Sequence, residues 1–268
     1  MPEGDSVYRA TARLHEALAG DRLRATSFRV PQLATTDLAG YTVHEVVPRG
    51  KHLLIRMLPD GDGPGLSLHS HLLMEGRWDL YRPGERWRKP AHTARVVLET
   101  QRTQAVGFDI VQVRLLPTAD ESEVVGHLGP DLLDPAFDAR RALENLLGTG
   151  QRPIGTALLD QRLLAGIGNI YRCETLFLAR THPLCPVDRV GDLPGMVEIA
   201  RKLLQVNKDR GRRVTTGLAR TREPYWVYGR AGRPCLRCGT RIEALTVGDE
   251  QSAQERTCYL CPRCQPLP

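Results

Sequence analysis

The chain lacks any apolar run that approaches the ~20 residues of a membrane-spanning helix. Its first residues are polar and acidic, so they lack the basic region and apolar stretch of a secretory signal peptide. Internal repeats and long low-complexity tracts are missing as well. These absences exclude membrane-spanning and repeat architectures, and they lead us to expect a cytosolic protein with no membrane partner.

The length and charge of the chain indicate a multidomain protein with a polyanionic partner. Its 268 residues, 41% of them hydrophobic, suffice for two compact domains and a small appendage. The formal net charge is +6, and residues 201–240 hold 11 Lys or Arg residues but only two acidic ones. Tyr225, Trp226 and Tyr228 lie in that same segment. Basic residues interleaved with aromatic ones favour a nucleic-acid partner, although a solvated basic face would have a similar composition.

Hydrophobic periodicity divides the chain into a strand-rich first part and a helical second part. Residues 5–19 predict an amphipathic helix, and residues 22–117 are mostly short apolar or alternating segments broken by Pro and Gly turns. The period becomes helical from 138 to about 207. The candidate strands are 43–47, 52–57, 66–73, 94–99 and 104–110, and the candidate helices are 139–147, 156–164, 170–178 and 196–206.

These elements predict an α+β fold in four parts. Residues 1–118 form an N-terminal β-sandwich domain that begins with a helix, because a sandwich is the natural packing for several short strands. Residues 119–137 are expected to link it to a helical domain at 138–224. Residues 225–268 form a small region of short strands and cysteines.

Two Cys-x-x-Cys pairs near the end of the chain predict a metal site. Cys235 and Cys238 are separated by a 22-residue gap from Cys261 and Cys264. Because each pair can supply two thiolates to a tetrahedron, the spacing predicts one Zn²⁺ with a β-hairpin at 242–260 between its ligands. Four thiolates leave no position for water, so this metal would be structural and would hold a hairpin too small to fold alone.

Cys258 leaves an alternative open at this site. It forms a further Cys-x-x-Cys with Cys261 and could therefore compete as a ligand. We favour Cys264 as the partner of Cys261, because Pro262 and the mirrored spacing are typical of a metal knuckle. Cys258 would then be a spare thiol on the hairpin.

The sequence Gly-Ile-Gly-Asn at 166–169 predicts a turn that can bind phosphate. A dinucleotide-binding loop would require a strand before it, whereas a helical pattern precedes this one. As a turn between helices, the two glycines allow close approach of a partner to the backbone. The first amides of the following helix can then bind a phosphate, and Asn169 can add a side-chain donor. An ordinary helix–helix turn is the alternative interpretation.

Pro2 and Glu3 predict covalent catalysis by the N-terminus. Once Met1 is removed, Pro2 becomes a secondary amine beside a carboxylate. An α-amine has a reference pKa of about 8, against about 10.4 for lysine, and the positive end of the following helix and Lys51 would favour its neutral form. Its iminium with a sugar aldehyde cannot lose a proton from nitrogen, so the positive charge persists as an electron sink for β-elimination.

Short motifs along the whole chain match one family in the correct order. The chain resembles the bacterial formamidopyrimidine-DNA glycosylase and endonuclease VIII family throughout its length, and it looks closer to the endonuclease VIII branch. The matching segments are 1–4 (MPEG), 49–51 (RGK), 71–76 (HLLMEG), 128–131 (LGPD), 158–161 (LLDQ), 166–171 (GIGNIY) and 261–265 (CPRCQ).

The resemblance implies a bifunctional DNA glycosylase and abasic-site lyase. Such an enzyme removes oxidised bases, here pyrimidines rather than purines, and acts on damaged DNA as a monomer in the bacterial cytoplasm, at the nucleoid. Its helical part would be a helix-two-turn-helix module, followed by a zinc finger. Pro2 would be the Schiff-base nucleophile and Glu3 the acid that opens the sugar ring. Lys51 would assist β-elimination, and Arg256 would contact phosphate and assist δ-elimination.

The resemblance also implies a set of DNA-binding residues. Met74 lies in the loop that fills the gap left by the flipped base, and Asn169 would hold the DNA backbone. The implied DNA-binding residues are Leu73, Met74, His127, Gly168, Asn169, Tyr171 and Arg230.

The chain departs from the family pattern at several positions. Ser6 stands where the family often has a second glutamate, Leu73 replaces a glutamine, and His127 replaces an arginine. The Pro-Arg-Arg-Phe segment of the formamidopyrimidine branch is not found near Phe108. Two alternatives therefore stay open: a non-catalytic binder of damaged DNA, and a formamidopyrimidine-type enzyme that acts on oxidised purines.

Overall fold

The computed structural model describes residues 2–217, 223–249 and 252–267. The chain divides into two compact units, Met1–His127 and Leu128–Pro268. In these described ranges no helix has the length and apolar character needed to cross a membrane.

The first unit is a β-sandwich with one long helix. Two antiparallel four-stranded sheets form it, and the predicted N-terminal helix and all five predicted strands are present. Its elements are α1 (Gly4–Leu18), β1 (Ala25–Phe28), β2 (Thr42–Arg49), β3 (His52–Leu58), β4 (Leu66–His71), β5 (Arg77–Tyr81), β6 (Ala94–Glu99), β7 (Gln104–Phe108), β8 (Gln112–Pro117) and the short α2 (Ser122–Val125).

The two sheets have the strand orders β2-β3-β4-β8 and β1-β6-β7-β5. The sequence did not single out β1, which has four residues with only one of them buried, or β5 and β8, whose apolar patterns Asp79 and Arg114 interrupt. Helix α1 packs its buried Val7, Leu14 and Leu18 into the core that the two sheets share. The sandwich therefore fixes the position of the N-terminus through the apolar face of α1.

Helix α1 begins one residue earlier than expected. The backbone carbonyl of Glu3 accepts from the N–H groups of Ser6 (2.9 Å) and Val7 (3.1 Å), so Glu3 is the N-cap residue. The expected caps, Asp5 and Ser6, lie inside the first turn instead, where Asp5 pairs with Arg9. Pro2 and Glu3 consequently lie at the positive end of the α1 dipole.

The second unit combines helices with the cysteine-bearing hairpin. Three of the four predicted helices and the predicted hairpin are present, and residues 250–251 lie outside the described residues. Its elements are α3 (Ala139–Leu147), α4 (Ile154–Ala157), α5 (Asn169–Leu178), α6 (Leu193–Asn207), β9 (Glu243–Asp249) and β10 (Ser252–Leu260).

The predicted helix at 156–164 is wrong, because only the single turn Ile154–Ala157 is helical there. Beyond it, the Asp160 carboxylate accepts from the backbone N–H two residues later, at 3.1 Å. The side-chain oxygen of Gln161 accepts from the N–H of Gly166 at 3.0 Å. These side-chain bonds to the backbone compete with helical ones, so the apolar residues of this segment pack in a compact turn.

Candidate active site and nucleic-acid interface

The N-terminal pair predicted to be catalytic lies directly before α1. Pro2 is half-buried, and Glu3 is completely buried. An amine at Pro2 would lie at the positive end of the helix, which favours its neutral, nucleophilic form. Met1 lies outside the described residues, so its removal stays a prediction.

Lys51 lies at the tip of the β2–β3 hairpin. Arg49 pairs with His52, which leaves Gly50 and Lys51 as a two-residue turn. Gly50 has φ of 57°, in the left-handed region that glycine adopts at little cost. The tight turn therefore holds the half-buried lysine at a fixed point of the first unit.

Four histidines that the sequence analysis did not combine surround this turn. The ring of His52 lies 5.0 Å from His69, 4.7 Å from His71 and 5.8 Å from His127, measured between ring centroids. Nδ1 of His52 and Nε2 of His69 are 2.8 Å apart and share a hydrogen bond. Burial, together with neighbouring positive charges that include Lys51, lowers the pKa of His52 to about 3 and that of His71 to about 4.

The loop after β4 displays the two residues expected to fill the gap in the DNA. Leu73, with φ of 50°, is 37% exposed and Met74 is 59% exposed. The backbone N–H of Leu73 donates to Nδ1 of His71 at 3.2 Å. The N–H of Gly76 donates to the carbonyl of Leu72, and a Cβ at Gly76 would lie 2.5 Å from that oxygen. The loop is therefore a tight turn that exposes the apolar side chains of Leu73 and Met74 to solvent.

Three of the motif segments named above, 128–131, 158–161 and 166–171, lie together at the start of α5. The N–H of Gly129 donates to the carbonyl of Gln161 at 2.9 Å, and a Cβ at Gly129 would lie 2.5 Å from the carbonyl of Arg162. Gly166 has φ of 104°, and Gly168 is the N-cap residue of α5. Since the cap is a glycine, no side chain of its own limits the approach of an anion to this helix end.

Asn169 connects the start of α5 to the cysteine-bearing hairpin. It is 7% exposed, and its side-chain Nδ2 donates to the carbonyl of Thr257 at 2.9 Å. Its Oδ1 accepts from the completely buried Arg172, which also donates to the carbonyls of Thr257 (3.1 Å) and Arg256 (3.4 Å). The structure thus brings Asn169 and the backbone of Arg256, two candidate phosphate contacts, to one place.

The side chains of Tyr171 and Arg230, two of the expected DNA-binding residues, lie in the interior of the second unit. Tyr171 is completely buried, and the guanidinium of Arg213 lies 4.9 Å from the centre of its ring. Arg230 is 5% exposed and donates to the Glu223 carboxylate (3.0 Å) and to the carbonyl of Pro234 (3.0 Å). Both side chains therefore stabilise the interior of the second unit.

The four predicted metal ligands lie together. The sulfur atoms of Cys235, Cys238, Cys261 and Cys264 all lie within 4.8 Å of one another, and Cys238 is 3.5 Å from both Cys261 and Cys264. Cys258 is not part of this group. The donor set and spacing fit tetrahedral coordination of one metal ion, and the described parts of the chain contain no other group of three or more His, Cys, Asp or Glu side chains placed to hold one.

The sequence analysis missed a buried carboxylate in α5. Glu174 is completely buried and accepts from the backbone N–H groups of Trp226 (2.8 Å), Val227 (3.0 Å) and Tyr228 (2.9 Å), and from the Thr215 hydroxyl. Burial raises its pKa. The available signal was a pair of charged residues, at positions 172 and 174, inside an otherwise apolar helix.

Comparison with known protein families decides the assignment. The model of the formamidopyrimidine-DNA glycosylase N-terminal domain matches residues 1–113, and that of the H2TH domain matches residues 128–206. The chain belongs to the formamidopyrimidine-DNA glycosylase and endonuclease VIII family. The β-sandwich, the helices and the four-cysteine hairpin described above are therefore those of this family.

Similar proteins place the chain on the endonuclease VIII side of this family, as expected. It is 51% identical to the probable endonuclease 8 2 of Streptomyces coelicolor, over 100% of the chain and 95% of that protein. It is 44% identical to the DNA-(apurinic or apyrimidinic site) lyase Nei2 of Mycolicibacterium smegmatis, over 99% of both. A solved structure of MutM in complex with carbocyclic 8-oxo-G containing DNA has a TM-score of 0.80 at 26% identity, covering 99% of this chain and 100% of that one.

Proposed function

We propose that this protein forms an iminium between Pro2 and the sugar of a damaged nucleotide. The chain is a bifunctional DNA glycosylase and abasic-site lyase of base excision repair, as its membership of the family and its relatives indicate. The observation that carries the proposal is the completely buried Glu3 directly after Pro2, at the positive end of α1. This arrangement brings the amine of Pro2 and the carboxyl group of Glu3 together at the start of α1.

The proposed reaction takes place in successive steps at Pro2 and Glu3. The amine of Pro2 attacks C1′, the bond to the base breaks, and the base leaves with a proton. Glu3 protonates the ring oxygen as the C1′–O4′ bond breaks, which gives the iminium. Loss of a C2′ proton then expels the 3′ phosphate, with Lys51 assisting this β-elimination. In a second elimination, assisted by Arg256, loss of a C4′ proton expels the 5′ phosphate, and water then hydrolyses the iminium to release the sugar remnant and restore the amine of Pro2.

DNA binding is assigned to the exposed loop of the first unit and to the α5 start of the second. Leu73 and Met74 would enter the gap left by the flipped base, because they are apolar and exposed. His127 is exposed and would contact DNA near this loop. Gly168 and Asn169 would hold a phosphate at the N-terminus of α5.

The metal held by the four cysteines is assigned as Zn²⁺. A zinc–sulfur bond of about 2.3 Å in a tetrahedron gives sulfur–sulfur distances near ~3.8 Å, close to the 3.5 Å between Cys238 and Cys261. The ion would hold β9 and β10 together and would take no part in the chemistry.

The substrate class and setting follow from the branch of the family. Because the chain resembles the endonuclease VIII branch, which relatives named endonuclease 8 represent, we propose oxidised pyrimidines rather than oxidised purines as the excised bases. We propose a monomer that acts on damaged DNA in the bacterial cytoplasm, at the nucleoid. A panel of duplexes with thymine glycol or 8-oxoguanine separates the two lesion classes.

Borohydride trapping on an abasic oligonucleotide tests the proposed nucleophile. Wild type should give a covalent complex, and Pro2→Ala should trap more slowly while it still binds zinc and DNA, because the imine of its primary amine can lose its proton and with it the positive charge. Glu16→Ala, at an exposed position of the same helix, serves as the control and should trap as well as wild type. Trapping by Pro2→Ala at the wild-type rate would overturn the proposal.

The departures at Ser6, Leu73 and His127 favour one other function, a non-catalytic binder of damaged DNA. Wild type that has lost Met1 and binds zinc, but gives no trapped complex, would support this second function. Intact mass spectrometry and a metal assay establish these two conditions.

A further inference from the structure

Cys173 and Cys258 form a buried pair of thiols outside the metal-binding group. Their sulfur atoms are 3.7 Å apart, and both residues are completely buried. Cys173 lies in α5 and Cys258 lies in β10, 85 positions later in the chain. Neither belongs to the four cysteines that fit a metal ion. Two thiols from distant parts of the sequence are thus in direct contact.

The two thiols differ in their hydrogen bonds and in the direction in which their pKa values are shifted. The thiol of Cys173 donates to the sulfur of Cys258, and the sulfur of Cys173 in turn accepts from the backbone N–H of Tyr259 at 3.4 Å. The hydrogen bond from the Cys173 thiol and the nearby Arg172 guanidinium lower the pKa of Cys258, whereas burial raises the pKa of Cys173. One sulfur is therefore suited to be the attacking thiolate and the other to stay protonated until it is needed.

We propose that Cys173 and Cys258 are a redox-modification site that closes to an intramolecular disulfide when hydrogen peroxide oxidises the protein. The Cys258 thiolate attacks one peroxide oxygen, the O–O bond breaks, and a proton converts the leaving hydroxide to water. The Cys173 sulfur then attacks the sulfenic sulfur of Cys258, and the hydroxyl leaves with the thiol proton as a second water. Two thiols are oxidised and one peroxide is reduced.

The two sulfur atoms must approach each other for this bond to form. A disulfide has a sulfur–sulfur distance of about 2.05 Å, so the 3.7 Å gap must close by roughly 1.7 Å. Because both thiols are buried, peroxide reaches them during brief local openings of the contact between α5 and β10. The reaction is therefore slower than that of an exposed thiol.

The disulfide would join the two elements that carry the candidate phosphate contacts. Asn169 starts α5 and Arg256 lies two residues before Cys258. In the reduced protein the metal ion would keep the hairpin folded. In the oxidised protein the disulfide would hold β10 against α5 even after the metal ion is removed. This consequence rests on the proposed DNA-binding function, but formation of the disulfide does not.

Peptide mapping of the zinc-loaded full chain tests the site itself. After graded peroxide treatment, thiols are alkylated under denaturing conditions and the linked peptides are identified by mass spectrometry. We expect a linked Cys173–Cys258 peptide at peroxide doses that leave zinc bound. The control Cys185→Ser, a buried cysteine outside both groups, should give the same product, and Cys258→Ser should not. Alkylation of both thiols in wild type after peroxide has already released zinc would overturn the proposal.

A second measurement tests the consequence for DNA binding. Oxidised and reduced wild type are treated with a chelator and then titrated with abasic-site duplex. We expect oxidised wild type to keep its affinity within about threefold, and reduced wild type and Cys258→Ser to lose about tenfold or more. Equal losses in all three would overturn the stabilising role. Failure of the reduced, zinc-loaded protein to bind DNA would instead overturn the proposed function and leave the mapping result unaffected.

Discussion

Nδ1 of His71 accepts a hydrogen bond of 3.2 Å from the backbone N–H of Leu73, which has a left-handed backbone conformation. An acceptor nitrogen carries no proton, and burial, with Lys51 nearby, lowers the pKa of His71 to about 4. His71 is therefore neutral under physiological conditions and can hold the turn that displays Leu73 and Met74.

This relationship predicts different behaviour for two substitutions of His71. The side-chain oxygen of Asn can occupy the position of Nδ1 and accept from Leu73, whereas the longer Gln places its oxygen near the position of Nε2. We expect His71→Asn to keep most of its excision rate on damaged duplex. His71→Gln should lose about tenfold, as expected for one hydrogen bond of about 1–1.5 kcal/mol. Single-turnover excision measures both, and equal losses would show that Nδ1 has no such role.

The histidine cluster also predicts how stability depends on pH. The pKa values of His52, His69 and His71 are lowered to about 3, 4 and 4 from 6.5, by burial first and then by charges that include Lys51 and Arg114. Between pH 6.5 and about 4 the unfolded chain binds more protons than the folded one. Stability is therefore fully present above pH 6.5 and is lost as the pH falls towards 4.

A single substitution measures the contribution of this cluster. His52→Asn removes one titrating group, so the slope of unfolding free energy against pH should decrease between pH 6 and 4.5. The decrease should be at most about 1.4 kcal/mol per pH unit, the value for one proton. Urea unfolding at several pH values gives the slope, with His92→Asn as the exposed control. Parallel slopes for wild type and His52→Asn would contradict the assignment.

Arg172 links α5 to the hairpin through its hydrogen bonds, and we expect DNA binding to depend on this link. Its guanidinium donates to the side chain of Asn169 and to two carbonyls of β10, and lysine cannot reproduce this fork of donors. We expect both Arg172→Lys and Arg172→Met to bind abasic-site duplex about tenfold more weakly at full zinc occupancy. Arg140→Met provides a comparison, because this arginine is exposed on α3 and pairs with Glu144 one turn away. Unchanged affinity in the Arg172 variants would contradict the link.

The hydrogen bonds of Glu174 predict that the stability of the protein requires a carboxylate at this position. Three backbone N–H groups and one hydroxyl donate to its two oxygens, whereas the amide nitrogen of Gln would meet donors. Glu174→Gln should lower the free energy of unfolding by about 2–3 kcal/mol, and Glu198→Gln on the exposed face of α6 should change it by less than about 0.5 kcal/mol. Denaturant unfolding of the two variants measures the difference, and similar values would contradict the role of Glu174.

Local patterns made much of the fold and of the site predictable. The 3.6-residue period of α1, the apolar run of β3 and the spacing within each Cys-x-x-Cys pair all depend on residues close in sequence. Family motifs added the expected roles of Pro2 and Lys51, which stay proposals.

Long-range contacts were not predictable in the same way. The turn after Ala157 forms because side chains at 160 and 161 bind the backbone, which apolar periodicity does not detect. The inward placement of Tyr171 and Arg230 depends on partners distant from them in the chain or on carbonyls of a turn. The contact between Cys173 and Cys258 likewise appears only when α5 and β10 pack together.

The most direct test of the central claim is the mass-spectrometric location of the borohydride-reduced sugar adduct. Wild type is trapped on an abasic oligonucleotide, digested with nuclease and protease, and the modified peptide is sequenced. We predict an adduct on the nitrogen of Pro2, in an N-terminal peptide that lacks Met1. An adduct on Lys51, or on a peptide that retains Met1, would contradict the mechanism.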